Sequence, residues 1–169
     1  MPIDEHDQRQ LQRALELAHG AIGRSDPNPR VGCVLADAQG RVVGVGATQR
    51  AGEPHAEVMA LRAAHAAGAS LAGGTAWVSL EPCSHHGRTP PCCDALVAAR
   101  LARVVLSAID PNPLVSGAGV QRLRDAGIRV DVAEGAPAEA TRELNIGFFS
   151  RMRRQRPWVR LKVAASLDG

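Results

Sequence analysis

Apolar residues Leu11, Ala14, Leu15, Ala18 and Ile22 recur at intervals of three and four, which puts them on one side of a helix. The pattern predicts an amphipathic helix over 5–23, closed by Gly23 and the run Ser25-Asp-Pro-Asn-Pro29. Two apolar runs at 31–36 and 41–47 flank a turn at 37–40 and read as strands. An alanine-rich helix is expected at about 56–67, ended by Gly68, and a buried strand at 75–80. The next helix opens near Pro90-Pro91, since a first helical turn needs no backbone donor there. A strand at 104–109, a helix at 118–126 ended by Gly127, a strand at 128–132 and a last helix at 137–153 follow. Strands separated by short helices imply crossover units, hence a three-layer α/β/α domain around a mixed central sheet. Residues 157–163 read as a fresh strand. A domain rarely ends just after a new strand, so the expected division is 1–150 as one domain and 151–169 as a linker with the first strand of a second, truncated one.

Composition changes this picture in one respect. Hydrophobic residues make up 45% of the 169 and charged residues 22%, ordinary for a globular chain, but aromatics are only 2% and tyrosine is absent. The core must be built from Ala, Val, Leu and Ile, which suits helices stacked closely on a sheet. The net charge of +3 is concentrated in Arg151, Arg153, Arg154 and Arg156, leaving the body nearly neutral. A nucleic-acid partner is not expected, because base stacking needs interleaved aromatics and only Phe148, Phe149 and Trp158 lie near that run. No apolar stretch approaches the roughly 20 residues of a membrane span. The polar, acidic N-terminus does not read as a signal peptide, so a cytoplasmic location with reduced cysteines is expected.

Three pieces carry candidate chemistry: His55-Ala-Glu57, Pro82-Cys83 and Cys92. An imidazole and two thiolates bind zinc well, and three protein ligands leave a fourth position for water, whose pKa the metal lowers. A neighbouring carboxylate, Glu57, could carry the proton to a leaving amine. H-x-E followed by P-C-x-x-C is the signature of zinc deaminases. Two features strain that match. Residues two apart in a helix diverge by about 200°, so His55 and Glu57 converge only if His55 caps the helix. The cysteines, moreover, are separated by eight residues instead of two. Cys92 falls in a first helical turn, where the helix dipole favours a thiolate. Cys93 could be a fourth ligand, which would close the site and make it structural; Cys33 reads as a core residue, and His19 and His65 as structural.

The long loop Glu81-Pro-Cys-Ser-His-His-Gly-Arg-Thr-Pro-Pro-Cys92 closely resembles that of the bacterial diaminohydroxyphosphoribosylaminopyrimidine deaminases of riboflavin biosynthesis. So do Asn28-Pro-Arg-Val-Gly32, Gly52-Glu-Pro-His-Ala-Glu57 and Asp110-Pro-Asn-Pro113, while Leu161-Lys162 and Ser166-Leu-Asp-Gly169 look like the opening of that family's reductase domain. The resemblance implies a cytidine-deaminase-like fold and zinc-dependent deamination of 2,5-diamino-6-ribosylamino-4(3H)-pyrimidinone 5′-phosphate to 5-amino-6-(5-phosphoribosylamino)uracil. It gives zinc to His55, Cys83 and Cys92, proton transfer to Glu57, and contacts with a phosphorylated pyrimidine to Asn28, His85, Arg88, Asp110 and Asn112. NADPH would belong only to the missing reductase domain, and a homo-oligomer is compatible. Thr48 departs from the family, many of whose members carry histidine there. The alternative enzyme is a nucleoside, nucleobase or tRNA-adenosine deaminase of the same fold, and a closed zinc module is the alternative outside enzymes.

Overall fold

A computed structural model describes residues 3–87, 90–113 and 115–166. Five strands form one sheet in the order β2-β1-β3-β4-β5: β1 Gly32–Ala36, β2 Val42–Ala47, β3 Thr75–Val78, β4 Arg103–Leu106 and β5 Arg129–Val132. β1 pairs antiparallel with β2 and β3, and β3–β4 and β4–β5 are parallel, so the sheet is mixed. The described residues also form six helices: α1 Glu5–His19, α2 Ala56–Ala66, α3 Cys92–Ala98, α4 Ala118–Asp125, α5 Ala136–Leu144 and α6 Ile146–Arg154.

Alternate strand residues point to opposite faces, and both faces are buried. Cys33, Leu35, Ala76, Val78, Val104 and Leu106 pack with Ala56, Ala60, Ala64, Leu96 and Leu123 of α2, α3 and α4. Val34, Ala36, Trp77 and Val105 pack with Leu11 and Ala14 of α1, and α5 joins that layer through Leu144 against Leu15 and Ala18. The result is three layers, α/β/α. An Asp4–Asp7 capping box opens α1. Asp7 is buried, accepts Trp77 Nε1–H at 2.8 Å, and receives both Arg103 guanidinium nitrogens at 2.8 and 2.7 Å, tying α1 to β3 and β4.

The shortage of aromatics shows in how α2 lies on the sheet. Gly44 and Gly46 of β2 face α2 so closely that an added Cβ would stand 2.3 Å from the Ala60 and Ala56 carbonyl oxygens respectively. Small residues on both sides let the helix rest on the strand backbone, and this sets where its first turn sits.

Three expectations need correction. The first helix ends at His19, capped by Gly20, and Ile22 lies beyond it, exposed. The helix expected at 137–153 is two helices, broken at Asn145. That residue departs from helical dihedrals (φ −107°, ψ 22°), and its side chain reaches across 115 residues to Arg30, accepting its N–H at 2.7 Å and donating to its carbonyl at 2.9 Å. Finally, residues 157–166 pair with no strand, and Val159, Leu161 and Val163 stand exposed. A strand needs a partner ladder, and none of the described strands lies beside this segment. Residues 151–154 are the last turn of α6.

Candidate active site

The topology brings distant segments to one edge of the sheet. β3 and β4 end there; β1, antiparallel to β3, begins there; β2, antiparallel to β1, ends there. Asn28 before β1, Thr48 after β2, Cys83 and His85 after β3, and Asp110 and Asn112 after β4 therefore line one cavity of about 170 Å³. A second cavity of about 390 Å³ continues outward, sharing Asn28, His55, Cys83 and His85 and reaching Glu53 and Gly87.

His55 and Glu57 enter from the first turn of α2. His55 is its N-cap, with extended backbone (φ −76°, ψ 168°), so it escapes the angular progression that separates residues two apart inside a helix. Glu57, 3% exposed, lines the cavity beside it. Cys92 is the first residue of α3, after the cap Pro91. The eight-residue excursion from Cys83 returns to this point: Cys92 N–H donates to Cys83 Sγ at 3.3 Å, and Cys93 N–H to the Cys83 carbonyl at 3.2 Å.

His55 Nδ1 stands 3.4 Å from Cys92 Sγ and 3.7 Å from Cys83 Sγ, and the three ligand atoms lie within 4.8 Å of one another. A tetrahedral zinc, with Zn–N of about 2.0–2.1 Å and Zn–S of about 2.3 Å, would separate nitrogen from sulfur by about 3.5 Å. The donor set fits such an ion in spacing and chemistry. Cys93 is not part of it, since its buried thiol donates to the Pro82 carbonyl at 3.4 Å and approaches that of Gly119 at 3.6 Å. Cys33 is fully buried in the core, where burial pushes its thiol far up.

The electrostatics agree with a cation-binding cluster. A hydrogen bond from Cys92 holds the Cys83 thiol down to about 4, against its burial and with help from His55. The same contact, with burial, pushes Cys92 up. Burial raises the Glu57 carboxyl to about 7, and the Cys83 charge adds to the effect. Contact with Cys83 raises His55. Negative groups crowded out of water repel one another, and a divalent cation among them would relieve that repulsion.

The remaining sequence-predicted residues fall around this cluster. Asp110, pushed up to about 6 by burial, accepts Asn112 N–H at 2.7 Å and presents a turn to the cavity. Asn28 is half-buried and His85 exposed at the junction of the two cavities. Thr48 is buried at the cavity wall, its hydroxyl accepting Val31 N–H at 3.2 Å. His19 and His65 are exposed in the last turns of α1 and α2 and line neither cavity. Arg88 lies outside the described residues. Among the cavity residues not anticipated are Phe148 of α6 and the buried Glu81. Glu81 adjoins Pro82-Cys83, and a carboxylate next to an apolar strand end was the available signal.

Comparison with known proteins agrees with this geometry. Residues 4–108 match the cytidine and deoxycytidylate deaminase zinc-binding region. The chain is 55% identical over 163 residues to riboflavin biosynthesis protein RibD of Escherichia coli, covering 96% of itself and 43% of that relative. Among solved structures, RibD of Acinetobacter baumannii superposes with a TM-score of 0.88 at 48% identity, covering 98% of this chain and 45% of that one. The diaminohydroxyphosphoribosylaminopyrimidine deaminase/5-amino-6-(5-phosphoribosylamino)uracil reductase of Thermotoga maritima gives 0.89 at 42% identity, covering 96% and 46%. The chain thus spans a little under half the length of these relatives.

Proposed function

Because the chain belongs to the cytidine and deoxycytidylate deaminase family, as a deaminase domain of the riboflavin-biosynthesis type, we propose that it hydrolytically deaminates 2,5-diamino-6-ribosylamino-4(3H)-pyrimidinone 5′-phosphate. The products are 5-amino-6-(5-phosphoribosylamino)uracil and ammonia. The observation that carries the reading is the convergence of His55 Nδ1, Cys83 Sγ and Cys92 Sγ beside a buried carboxylate at the floor of a cavity.

In this reading His55, Cys83 and Cys92 hold zinc, which supplies Lewis acidity that makes water a nucleophile near neutral pH. Glu57 moves the protons. It takes one from water as oxygen bonds to the ring carbon bearing the amine, and delivers it to the nitrogen as the C–N bond breaks and ammonia departs. Its burial among the ligand groups favours the protonated form and so suits it to carry a proton between the two. Asn28, Asp110 and Asn112 present amide and carboxyl groups suited to a polar ring edge. His85 would meet the phosphate in the outer cavity. Leu80, Val31 and Phe148 close the inner cavity with apolar surface.

The test combines metal analysis with ammonia release from this substrate, cytidine and adenosine. About one zinc per chain, with ammonia from the phosphorylated diaminopyrimidinone alone, is the expected result. Ammonia from cytidine or adenosine instead would replace the substrate, and zinc with no ammonia from any of the three would replace the enzyme reading with a structural centre.

A further inference from the structure

Glu81 is 4% exposed, and its carboxylate is fully engaged with backbone amides from a distant segment. Oε2 accepts Asp110 N–H at 3.1 Å and Gly117 N–H at 3.0 Å. Oε1 accepts Gly119 N–H at 2.9 Å and Val120 N–H at 3.1 Å in the first turn of α4. Its own N–H donates to the Ala108 carbonyl at 3.0 Å. The loop after β4 is therefore pinned at both ends by one side chain, and Asp110, Asn112 and Val115 between those ends line the inner cavity. The docking is close: a Cβ at Gly119 would stand 2.3 Å from the Pro82 carbonyl and 3.0 Å from Glu81 Oε1.

The metal-binding loop, by contrast, has fastenings of its own. Cys83 is held by the N–H groups of Cys92 and Cys93, and Pro82 by the Cys93 thiol. Release of Glu81 would free the 110–117 loop while leaving the three metal ligands in place.

We propose that Glu81 is a positioning residue for substrate recognition: it fixes the Asp110–Asn112 turn at a set distance from the metal ligands and acts on substrate binding through that turn. This rests on the deaminase reading above. The Glu81→Gln side chain keeps one oxygen but turns an NH2 group toward two N–H donors, either Asp110 with Gly117 or Gly119 with Val120, so two charge-assisted bonds are lost and the clamp on the loop is weakened.

The test compares the zinc-loaded full chain with Glu81→Gln in three measurements: zinc content, the KM and kcat of ammonia release, and hydrogen exchange across residues 110–120. The expected result is zinc near one per chain, kcat within about threefold, KM raised about tenfold or more, and faster exchange in the loop. A folded variant with unchanged KM would overturn the proposal, as would activity and zinc lost together at constant KM. Glu81→Asp, which keeps the charge but is too short to span both amide pairs, should give the same split between KM and kcat. A reading that needs no variant comes from the wild type, where the amides of Asp110, Gly117, Gly119 and Val120 should exchange as slowly as helix-interior amides. Exchange as fast as that of Gly87 would also overturn the clamp. Failure of the wild type to release ammonia would instead count against the proposed function, with the exchange data still deciding on the clamp.

Discussion

Replacing Gly46 by alanine adds one methyl group where α2 rests on β2. That carbon would stand 2.3 Å from the Ala56 carbonyl oxygen and 2.5 Å from the Ala60 nitrogen, whereas ordinary contact begins at 3.4 Å. Both obstacles are helix backbone and cannot rotate aside, so α2 must retreat by about 1 Å. Gly46 has no positive φ, so the effect is one of space and not of backbone strain. Overpacking of this kind costs about 1–3 kcal/mol. The displaced segment is the first turn of α2, with Ala56 between His55 and Glu57, and a misplacement of about 1 Å at a reacting centre can cost roughly 100-fold in turnover. Urea unfolding reads the first effect, and kcat for ammonia release at measured zinc content reads the second. Gly147→Ala serves as the stability control: in α6 its Cβ meets nothing, and removing a helical glycine should stabilise by up to about 1 kcal/mol. Wild-type stability and turnover in Gly46→Ala would refute the close-packing argument and the link from composition to site geometry.

Glu57→Gln should keep its zinc and lose about 10²–10⁴-fold in kcat, measured by metal analysis beside ammonia release; full activity would exclude Glu57 as the proton carrier. Asp7→Asn should cost about 2–3 kcal/mol at pH 7 by urea unfolding, somewhat less than a fully dry ion pair because the Arg103 side chain is 21% exposed. Burial pushes Asp7 up, but hydrogen bonds from Arg103 and Trp77 outweigh it and hold the carboxyl below its ordinary 3.8. The wild-type advantage should therefore be complete above that pH and shrink as pH falls below it; an advantage unchanged well into acid would contradict the sign. Deleting residues 85–90 joins Cys83-Ser84 to Pro91-Cys92 and makes a short Cys-x-x-Cys. Zinc should be retained while KM for the phosphorylated substrate rises about tenfold or more, since His85 and Arg88 both go with the loop, and an unchanged KM would remove the loop from substrate binding.

The layer architecture and the metal cluster were legible in the sequence because both depend on short-range signals. Continuous apolar runs in β1, β3 and β4 announced buried strands, and Pro90-Pro91 announced the helix start that puts Cys92 in a first turn. What was hidden depends on side chains that bond to distant backbone. Asn145 breaks a helix whose periodicity runs through it, at the point where its side chain is tied to the Arg30 backbone 115 positions away. Glu81 looked like one more residue beside a motif, since its four partners lie 29 to 39 positions away. Phe148 was weighed only as a possible stacking residue near a basic run, and the break at Asn145 starts the short helix that carries it to the cavity.

The eight residues between the cysteines look like a departure from the short spacing only while the motif is read as a linear string. The constraint on the metal ligands is local at each end: Cys83 leaves the sheet beyond β3, and Cys92 opens α3. Cys92 N–H to Cys83 Sγ and Cys93 N–H to the Cys83 carbonyl join those ends directly. Once they are closed, the length of chain between them is free at small cost, because loop-closure entropy grows only with the logarithm of length. The added residues carry His85 to the junction of the two cavities and Gly87 to the wall of the outer one. A short spacing and a long one can therefore hold the same three ligand atoms while differing in what stands outside them. Under the proposed function, the three ligand atoms would set the chemistry, and the long loop the size and charge of the substrate that reaches it.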